Sequence, residues 1–267
     1  MEITFVNPGA EEMLRNIMGF QTEEESVFWS EPLFYFYPQL DKARAAALPF
    51  SERKAYIERV LLSVYEQEEK VIDEKVLIYS RQWEGCKEQI TAALSEAFEV
   101  DCNGLFNDLR GNVTLNPVMP RFLREHCFDL FYLSSGRGAI GLAIHELVHF
   151  VWFYVWNQLF GDSYDEYERP SLKWILSEMV VESVMKDPRL SSINPYFPRE
   201  DGGCIYPYFF DMKADGVSIL DTLDKMYQSQ SISAFMKNSY AYCQAHETEI
   251  REHIRRAENR PDPLGKE

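Results

Sequence analysis

Three ionisable side chains stand close together in an otherwise apolar stretch, and their spacing could support chemistry at a bound ion. Between Gly138 and Tyr154, only His145, Glu146 and His149 can carry a charge near neutral pH. Histidines four positions apart leave the same face of a helix, so both imidazoles can converge on one ion. Glu146 lies about 100° round the helix from His145, close enough to reach a water on that ion. Burying these groups without partners would be costly, so the pattern predicts a metal site.

Together these residues form the sequence His-Glu-x-x-His, the zinc-hydrolase signature. In that signature the two histidines bind Zn²⁺ and the glutamate, here Glu146, acts as the general base. The segment is apolar almost all the way round, which predicts a helix over residues 138–160 buried inside the domain. Gly161 follows the segment where a C-terminal capping glycine belongs.

The composition of the chain is that of a globular protein. It has 267 residues, of which 46% are hydrophobic and 14% aromatic, enough for one large domain or for two lobes that share a core. A net charge of −16 argues against nucleic acid and anionic membranes as partners. The same charge favours solubility and a mild bias towards basic substrates.

The cysteines and the N-terminus favour a cytoplasmic protein. Five cysteines are scattered without a C-x-x-C pair, which is typical of a reducing compartment. Residues 1–6 lack a basic segment followed by an apolar run, so we expect no signal peptide. Residues 138–156 are apolar enough to suggest a membrane span, but the ionisable groups at their centre argue against one.

Residues 1–100 are predicted to form a mainly helical portion in which we find no chemistry. Residues 101–258 are predicted to form a catalytic portion and residues 259–267 a disordered tail. Strands are expected at residues 3–6, 105–109, 112–115 and 128–133. Helices are expected at residues 10–18, 51–75, 82–98, 138–160, 171–186, 218–228 and 232–256. The aromatic stretch 27–40 is interpreted as core packing beneath a loop.

The third metal ligand must lie outside the first helix, because a catalytic zinc takes three protein ligands and leaves one position for water. The other histidines lie in polar surroundings and are interpreted as surface or cap residues: His126, His246 and His253. The carboxylate candidates are Glu178 and Glu182 on helix 171–186 and the loop acids Asp162, Asp165 and Glu166. The loop begins about 13 residues beyond His149, roughly 20 Å along the helix axis. Helix 171–186 can instead pack back across the first helix, which favours its middle residue, Glu178.

This arrangement resembles the gluzincin branch of the zincin metallopeptidases, the peptidase MA-like families, over about residues 105–187. In these families the His-Glu-x-x-His helix is followed by a loop and by a second helix that carries a glutamate ligand. That glutamate often follows an apolar residue and a serine, as in Leu176-Ser177-Glu178 here. Many members then continue with Gly-x-Ala, whereas this chain has Met179-Val180-Val181, so the subfamily stays open.

The resemblance implies zinc on His145, His149 and Glu178, with Glu146 as the base. It also implies that Glu182, one turn after the ligand glutamate, accepts a hydrogen bond from a zinc-binding histidine. The implied fold is α+β and mostly helical, with a small sheet before the histidine-bearing helix and a cleft between two lobes.

The implied function is zinc-dependent hydrolysis of a peptide or protein substrate. An extended peptide is expected to pair with the edge of strand 128–133, and Tyr206 or Tyr208 is the candidate donor to the oxyanion. The alternative is a zinc-binding interaction or regulatory protein that no longer cleaves. The intact Glu146 argues against this alternative, because a structural site needs no base and usually has four protein ligands.

Overall fold

The computed structural model describes residues 1–260, which form an α+β protein built mostly of helices around a small mixed sheet. The helices are α1 (Gly9–Met18), α2 (Val27–Phe36), α3 (Lys42–Ala47), α4 (Phe50–Glu84), α5 (Lys87–Ala97), α6 (Gly136–Phe160), α7 (Leu172–Lys186), α8 (Pro188–Ser191), α9 (Ile219–Ser229), α10 (Ile232–Ala245) and α11 (Glu247–Glu258). The strands are β1 (Ile3–Val6), β2 (Leu109–Thr114), β3 (Arg121–Phe122), β4 (Cys127–Phe131), β5 (Lys213–Ala214) and β6 (Val217–Ser218).

The main sheet has the strand order β1-β2-β4-β3. β4, the last of these four strands in the sequence, therefore lies inside the sheet between β2 and β3. β1, β2 and β4 run parallel, and the two-residue β3 pairs antiparallel with β4 at the edge. Every residue of β4 is buried, as expected for a strand covered on both faces. A short connection leads from β4 into α6, so the sheet precedes the histidine-bearing helix as the sequence predicts.

The division of residues 105–115 into two strands is wrong, because β2 is continuous and residues 105–108 form turns. Gly111, in the gap between the two expected strands, lies inside β2 opposite Phe5. A Cβ atom at Gly111 would lie 2.7 Å from Cδ1 of Phe5. Glycine at this position therefore permits the close approach of β1 and is not a sign of a turn.

Three helical segments also differ from the expectation. The aromatic stretch 27–40 contains α2, in which Trp29 and Leu33 are buried, so packing outweighs the low helix propensity of Pro32. α4 runs for 35 residues and continues past the expected end at residue 75 to Glu84, so it includes the start of the helix expected at residues 82–98. The single helix expected over residues 232–256 is divided at His246 into α10 and α11.

α6 is the core helix of the protein. The Ser135 hydroxyl caps it by accepting a hydrogen bond from the Gly138 N–H, and Gly161 ends it in the left-handed conformation with φ 69°. By length and composition α6 could cross a membrane, but 72% of its most apolar window is buried inside the protein. The protein itself therefore covers this apolar surface.

Residues 1–100 share the sheet and the core with the rest of the chain. β1 pairs with β2, and α4 packs against α6. The five cysteines are free thiols. Of the predicted tail, residues 259 and 260 follow the end of α11, and residues 261–267 lie outside the described part of the chain.

Candidate metal centre

Two histidines on one face of α6 form the first part of the site. The Nε2 atoms of His145 and His149 lie 3.1 Å apart, as their spacing of four residues predicts. His149 is fully buried and the side chain of His145 is 15% exposed, so the pair lies at the base of an opening rather than on the surface.

α7 crosses α6 and places Glu178 against this pair. Glu178 Oε2 lies 3.6 Å from Nε2 of His145 and 3.4 Å from Nε2 of His149. Three ligand atoms around a tetrahedral zinc, at the usual distance of roughly 2.0–2.1 Å from the ion, are about 3.3–3.4 Å apart. The observed separations bracket this value. Among residues 1–260, these three form the one group of His, Cys, Asp or Glu side chains close enough together to hold an ion.

One hydrogen bond outside the cluster fixes the tautomer of His145. Nδ1 of His145 lies 2.9 Å from the Cys204 carbonyl oxygen, which can only accept, so Nδ1 carries the proton. Nε2 of neutral His145 then presents a lone pair to the centre of the cluster. Oε2 of Glu178 is buried and has no hydrogen-bond partner among the described residues, nor has Nδ1 of His149.

The expectation that Glu182 accepts a hydrogen bond from a zinc-binding histidine is wrong in this structure. Its carboxylate accepts from Arg199 Nε at 2.8 Å and Nη2 at 2.9 Å, and it lies 3.3 Å from Lys186 Nζ. The backbone carbonyl of Cys204 takes the expected place beside His145. A carbonyl is equally suited to orienting a metal-binding imidazole.

Arg121 is part of the site, although no sequence signal singled it out. Its Nη1 donates to Glu178 Oε1 at 2.7 Å, and both side chains are buried. Burial alone would raise the pKa of Glu178, but His149, His145 and Arg121 together hold that pKa well below its usual range. Glu178 is therefore ionised, with one oxygen bonded to Arg121 and the other directed at the histidines.

The electrostatics of His149 and Glu146 suit a neutral imidazole and a base. Burial lowers the pKa of His149 to about 3, and the charge of Arg121 acts in the same direction, so this ring is neutral at physiological pH. Burial raises the pKa of Glu146 to about 7. Oε1 of Glu146 lies 4.0 Å from Nε2 of His145, and its Oε2 has no hydrogen-bond partner among the described residues. Glu146 can thus exchange a proton near neutral pH and lies outside the three-residue cluster.

A cavity of about 380 Å³ opens over the cluster. Its aromatic wall is formed by Phe20, Trp29, Trp174 and Tyr206. His145, Glu146 and Glu178 lie in the same lining. Burial raises the pKa of Tyr206 well above its usual range, so its hydroxyl stays protonated and can donate. Tyr208 is stacked on Tyr206 and does not belong to the lining.

The other candidates from the sequence have partners elsewhere. Asp162 and Glu166 both pair with Lys173, and Asp165 pairs with Arg124. His126 lies 2.8 Å from Asp108, and Nε2 of His253 lies 2.7 Å from the Tyr208 carbonyl oxygen. Among the described residues, neither these side chains nor His246 joins the cluster.

Strand 128–133 cannot bind a peptide at a free edge, because β4 lies between β2 and β3. The edge of the sheet beside the cavity is β3, and both of its residues belong to the cavity lining. The Asp129 N–H donates to the Pro120 carbonyl, and Arg121 is paired with Phe128 at the next position. Pro120 and Asp129 therefore form a hydrogen-bonded pair. Because hydrogen-bonded and non-hydrogen-bonded pairs alternate in an antiparallel ladder, Arg121 and Phe128 form a non-hydrogen-bonded pair. The N–H and C=O of Arg121 consequently face away from β4.

Comparison with known proteins adds no relative, because no family model, curated protein or solved structure matches this chain.

Proposed function

We propose that this protein is a zinc-dependent metallopeptidase of the gluzincin type. The observation that carries the proposal is the buried group of His145, His149 and Glu178, whose separations of 3.1, 3.4 and 3.6 Å suit the corners of a tetrahedral zinc site. The fourth corner would be open to the cavity, as catalytic zinc requires and structural zinc does not. Glu146 stands beside this group in the same cavity lining.

Zinc, when bound, would act as a Lewis acid on a carbonyl group and make water more acidic. Glu146 would take the proton from the attacking water and pass it to the leaving amine. Tyr206, protonated and in the cavity lining, would donate a hydrogen bond to the oxyanion. Arg121 would hold Glu178 by one oxygen and leave the other for the ion.

A peptide is the substrate class that the cavity supports best, because a sheet edge forms part of its wall. The outward N–H and C=O of Arg121 can pair with one residue of an extended chain. The aromatic wall opposite can cover an apolar side chain of the same substrate.

The decisive experiment is cleavage of a peptide library by the zinc-loaded protein and by its Glu146→Gln variant, with zinc measured in both. Cleavage by the wild type that the variant lacks would support the proposal. One zinc per chain without cleavage of any library member would favour the alternative, a zinc-binding interaction or regulatory protein. Wild-type protein that binds no zinc would refute both.

A further inference from the structure

Arg121 contributes its main chain and its side chain to different parts of the cavity. Its main chain lies at the edge of the sheet, whereas its side chain is only 6% exposed and reaches Glu178. The guanidinium also lies over the ring of Phe153, 5.6 Å from the centroid. A buried cation is thus held in the cavity wall beside His145 and Glu146.

Two nitrogens of this guanidinium are not used by the protein. Nε and Nη2 are buried and have no hydrogen-bond partner among residues 1–260. Buried donors without partners are rare, because they lose their hydration without compensation. Unpaired buried donors on a residue of the cavity lining therefore point to a ligand that supplies the acceptor.

The same two nitrogens bind carboxylates elsewhere in this protein. Arg199 donates from Nε and Nη2 to the two oxygens of Glu182, at 2.8 and 2.9 Å. Arg189 uses this pair of atoms on Asp187. Two parallel hydrogen bonds from a planar fork are the preferred way for arginine to bind a carboxylate. The unpaired fork of Arg121 is suited to the same group.

The other arginines of the cavity lining differ from Arg121 in having no unused buried donor. Arg124 forms an ion pair with Asp165, and Arg169 forms one with Glu25. Neither has a buried nitrogen without a partner in the part of the chain that the structure describes. Recognition of an anion by this wall therefore depends on Arg121.

We propose that the fork of Arg121 binds a carboxylate group of the substrate, so that anionic peptides are the preferred class. This inference rests on the proposed function, because it assigns a substrate to the same cavity. Both nitrogens are covered by protein, so binding includes a small rotation of the guanidinium towards the cavity that it lines. The net charge of −16 and the four glutamates of the lining oppose an anionic ligand, and the two hydrogen bonds of the fork offset this repulsion.

A first experiment measures the binding of 3-phenylpropionate and of 3-phenylpropionamide to the full chain without metal. The two probes have the same ring, which suits the aromatic wall, and differ in the carboxylate. Without zinc, the acid cannot bind by coordinating the ion. We expect the acid to bind at least about tenfold more tightly than the amide by titration calorimetry. Equal affinity of the wild type for both probes would overturn the proposal.

Two lysine variants locate the effect. Arg121→Lys keeps the charge beside Glu178 but has no fork, so the preference for the acid is expected to fall towards one. Arg124→Lys makes the same exchange at an arginine of the same lining and should keep the preference. A retained preference in Arg121→Lys, with folding verified by circular dichroism, would contradict the assignment.

A variant at an exposed position keeps the test valid if Arg121→Lys does not fold. Glu168 lies in the same lining, and the positive charge of Arg121 acts on its carboxyl group. Glu168→Gln removes a negative charge that competes for Arg121, so the affinity for the acid should rise while that for the amide stays constant. An unchanged affinity for the acid would count against the proposal.

The carboxylate can come from a free C-terminus or from an acidic side chain, and matched peptides separate the two. The first pair is acetyl-Ala-Phe-Ala as the free acid and as the amide. The second is acetyl-Ala-Phe-Glu-amide and acetyl-Ala-Phe-Gln-amide. A difference in affinity within the first pair identifies a terminal carboxylate. A difference within the second pair identifies an acidic side chain. Equal affinities within both pairs overturn the proposal. Because these measurements need neither zinc nor hydrolysis, their failure would leave the tests of the proposed function intact.

Discussion

Two buried carboxylates in the core, Asp129 and Glu178, have opposite surroundings. Asp129 accepts hydrogen bonds at 3.1–3.4 Å from the side-chain amides of three asparagines: Asn16, Asn112 and Asn116. Glu178 accepts one hydrogen bond from Arg121 and directs its second oxygen at two histidine nitrogens. Both carboxylates are almost completely buried, so exposure does not distinguish them.

The difference lies in whether the protein satisfies both oxygens. The asparagines reach both oxygens of Asp129 and tie α1 to the sheet, which is the pattern of a structural group. The Nε2 atoms of both histidines face the same point as the free oxygen of Glu178, and a bound cation would satisfy all three. A carboxylate that stabilises the fold can thus be distinguished from one that offers an oxygen to an ion.

The largest expected effect is the loss of the metal on removal of one histidine. We expect His149→Ala to lower the zinc affinity by more than about a hundredfold, because even the loss of an indirect partner of a ligand costs roughly 10–100-fold. Metal analysis and competition with a chelator measure this change. His126→Ala removes a histidine that pairs with Asp108 outside the cluster and should leave zinc at about one per chain. Unchanged zinc in His149→Ala would show that the histidines beside Glu178 do not hold the ion, and the comparison between Asp129 and Glu178 would lose its basis.

The next effect is on catalysis without loss of the metal. Glu146→Gln should retain zinc and lower the rate of peptide cleavage by at least about a hundredfold, because the amide cannot take the proton from water. Glu125→Gln, at an exposed acid of the same cavity lining, should cleave at the wild-type rate. A Glu146→Gln variant that cleaves as fast as the wild type would exclude the assigned base.

The parts of the site that the sequence predicts are those set by local geometry. His145 and His149 meet because they are four positions apart on one helix, whatever surrounds it. Glu178 follows from a short connection between two helices, which brings α7 back across α6. In the same way, the apolar residues of α6 and the Gly161 that follows them predict a buried helix. Both predicted ends lie within two residues of the observed ends.

The parts that the sequence does not reveal depend on contacts between distant residues. The acceptor beside His145 is the backbone carbonyl of Cys204, and a carbonyl has no residue type that a pattern could single out. Arg121 reaches Glu178 from a strand of two residues, too short for any periodicity. The pairing of β1 with β2 joins residues about a hundred positions apart, and only the steric requirement at Gly111 hints at it.

A third prediction concerns the pH dependence of stability at Asp129. Burial raises the pKa of this carboxyl to about 6, and the three asparagine amides only partly offset it. The folded state therefore binds the proton more tightly than the unfolded state, in which the pKa is about 3.9. The contribution of Asp129 to stability is consequently present below about pH 4 and declines as the pH rises through 6, by up to about 3 kcal/mol.

Unfolding by urea between pH 4 and pH 7 would show this decline as a difference between the wild type and Asp129→Asn, which has no titrating group at this position. We expect the wild type to lose stability relative to the variant as the pH rises. Parallel stability curves for the two proteins would mean that the asparagines hold the pKa of Asp129 at its unfolded value. Zinc content should be the same in both proteins at pH 7, because Asp129 lies outside the cluster.

The smallest effect is expected at Glu182, one helical turn from the proposed metal ligand Glu178. Its carboxylate binds Arg199 and Lys186 and does not contact His145, so Glu182→Gln should change the zinc affinity by less than about tenfold. The free energy of unfolding should fall by about 1 kcal/mol, because the ion pairs with Arg199 and Lys186 are partly exposed and the amide keeps one acceptor.

Glu178→Gln is the matched change on the same helix, and it should lower the zinc affinity far more, because it neutralises the oxygen directed at the histidines. Competition with a chelator and urea unfolding of both variants give the two quantities. Similar losses of zinc affinity in the two variants would show that Glu182 acts on the metal centre after all, through Arg199 and the loop that carries the Cys204 carbonyl.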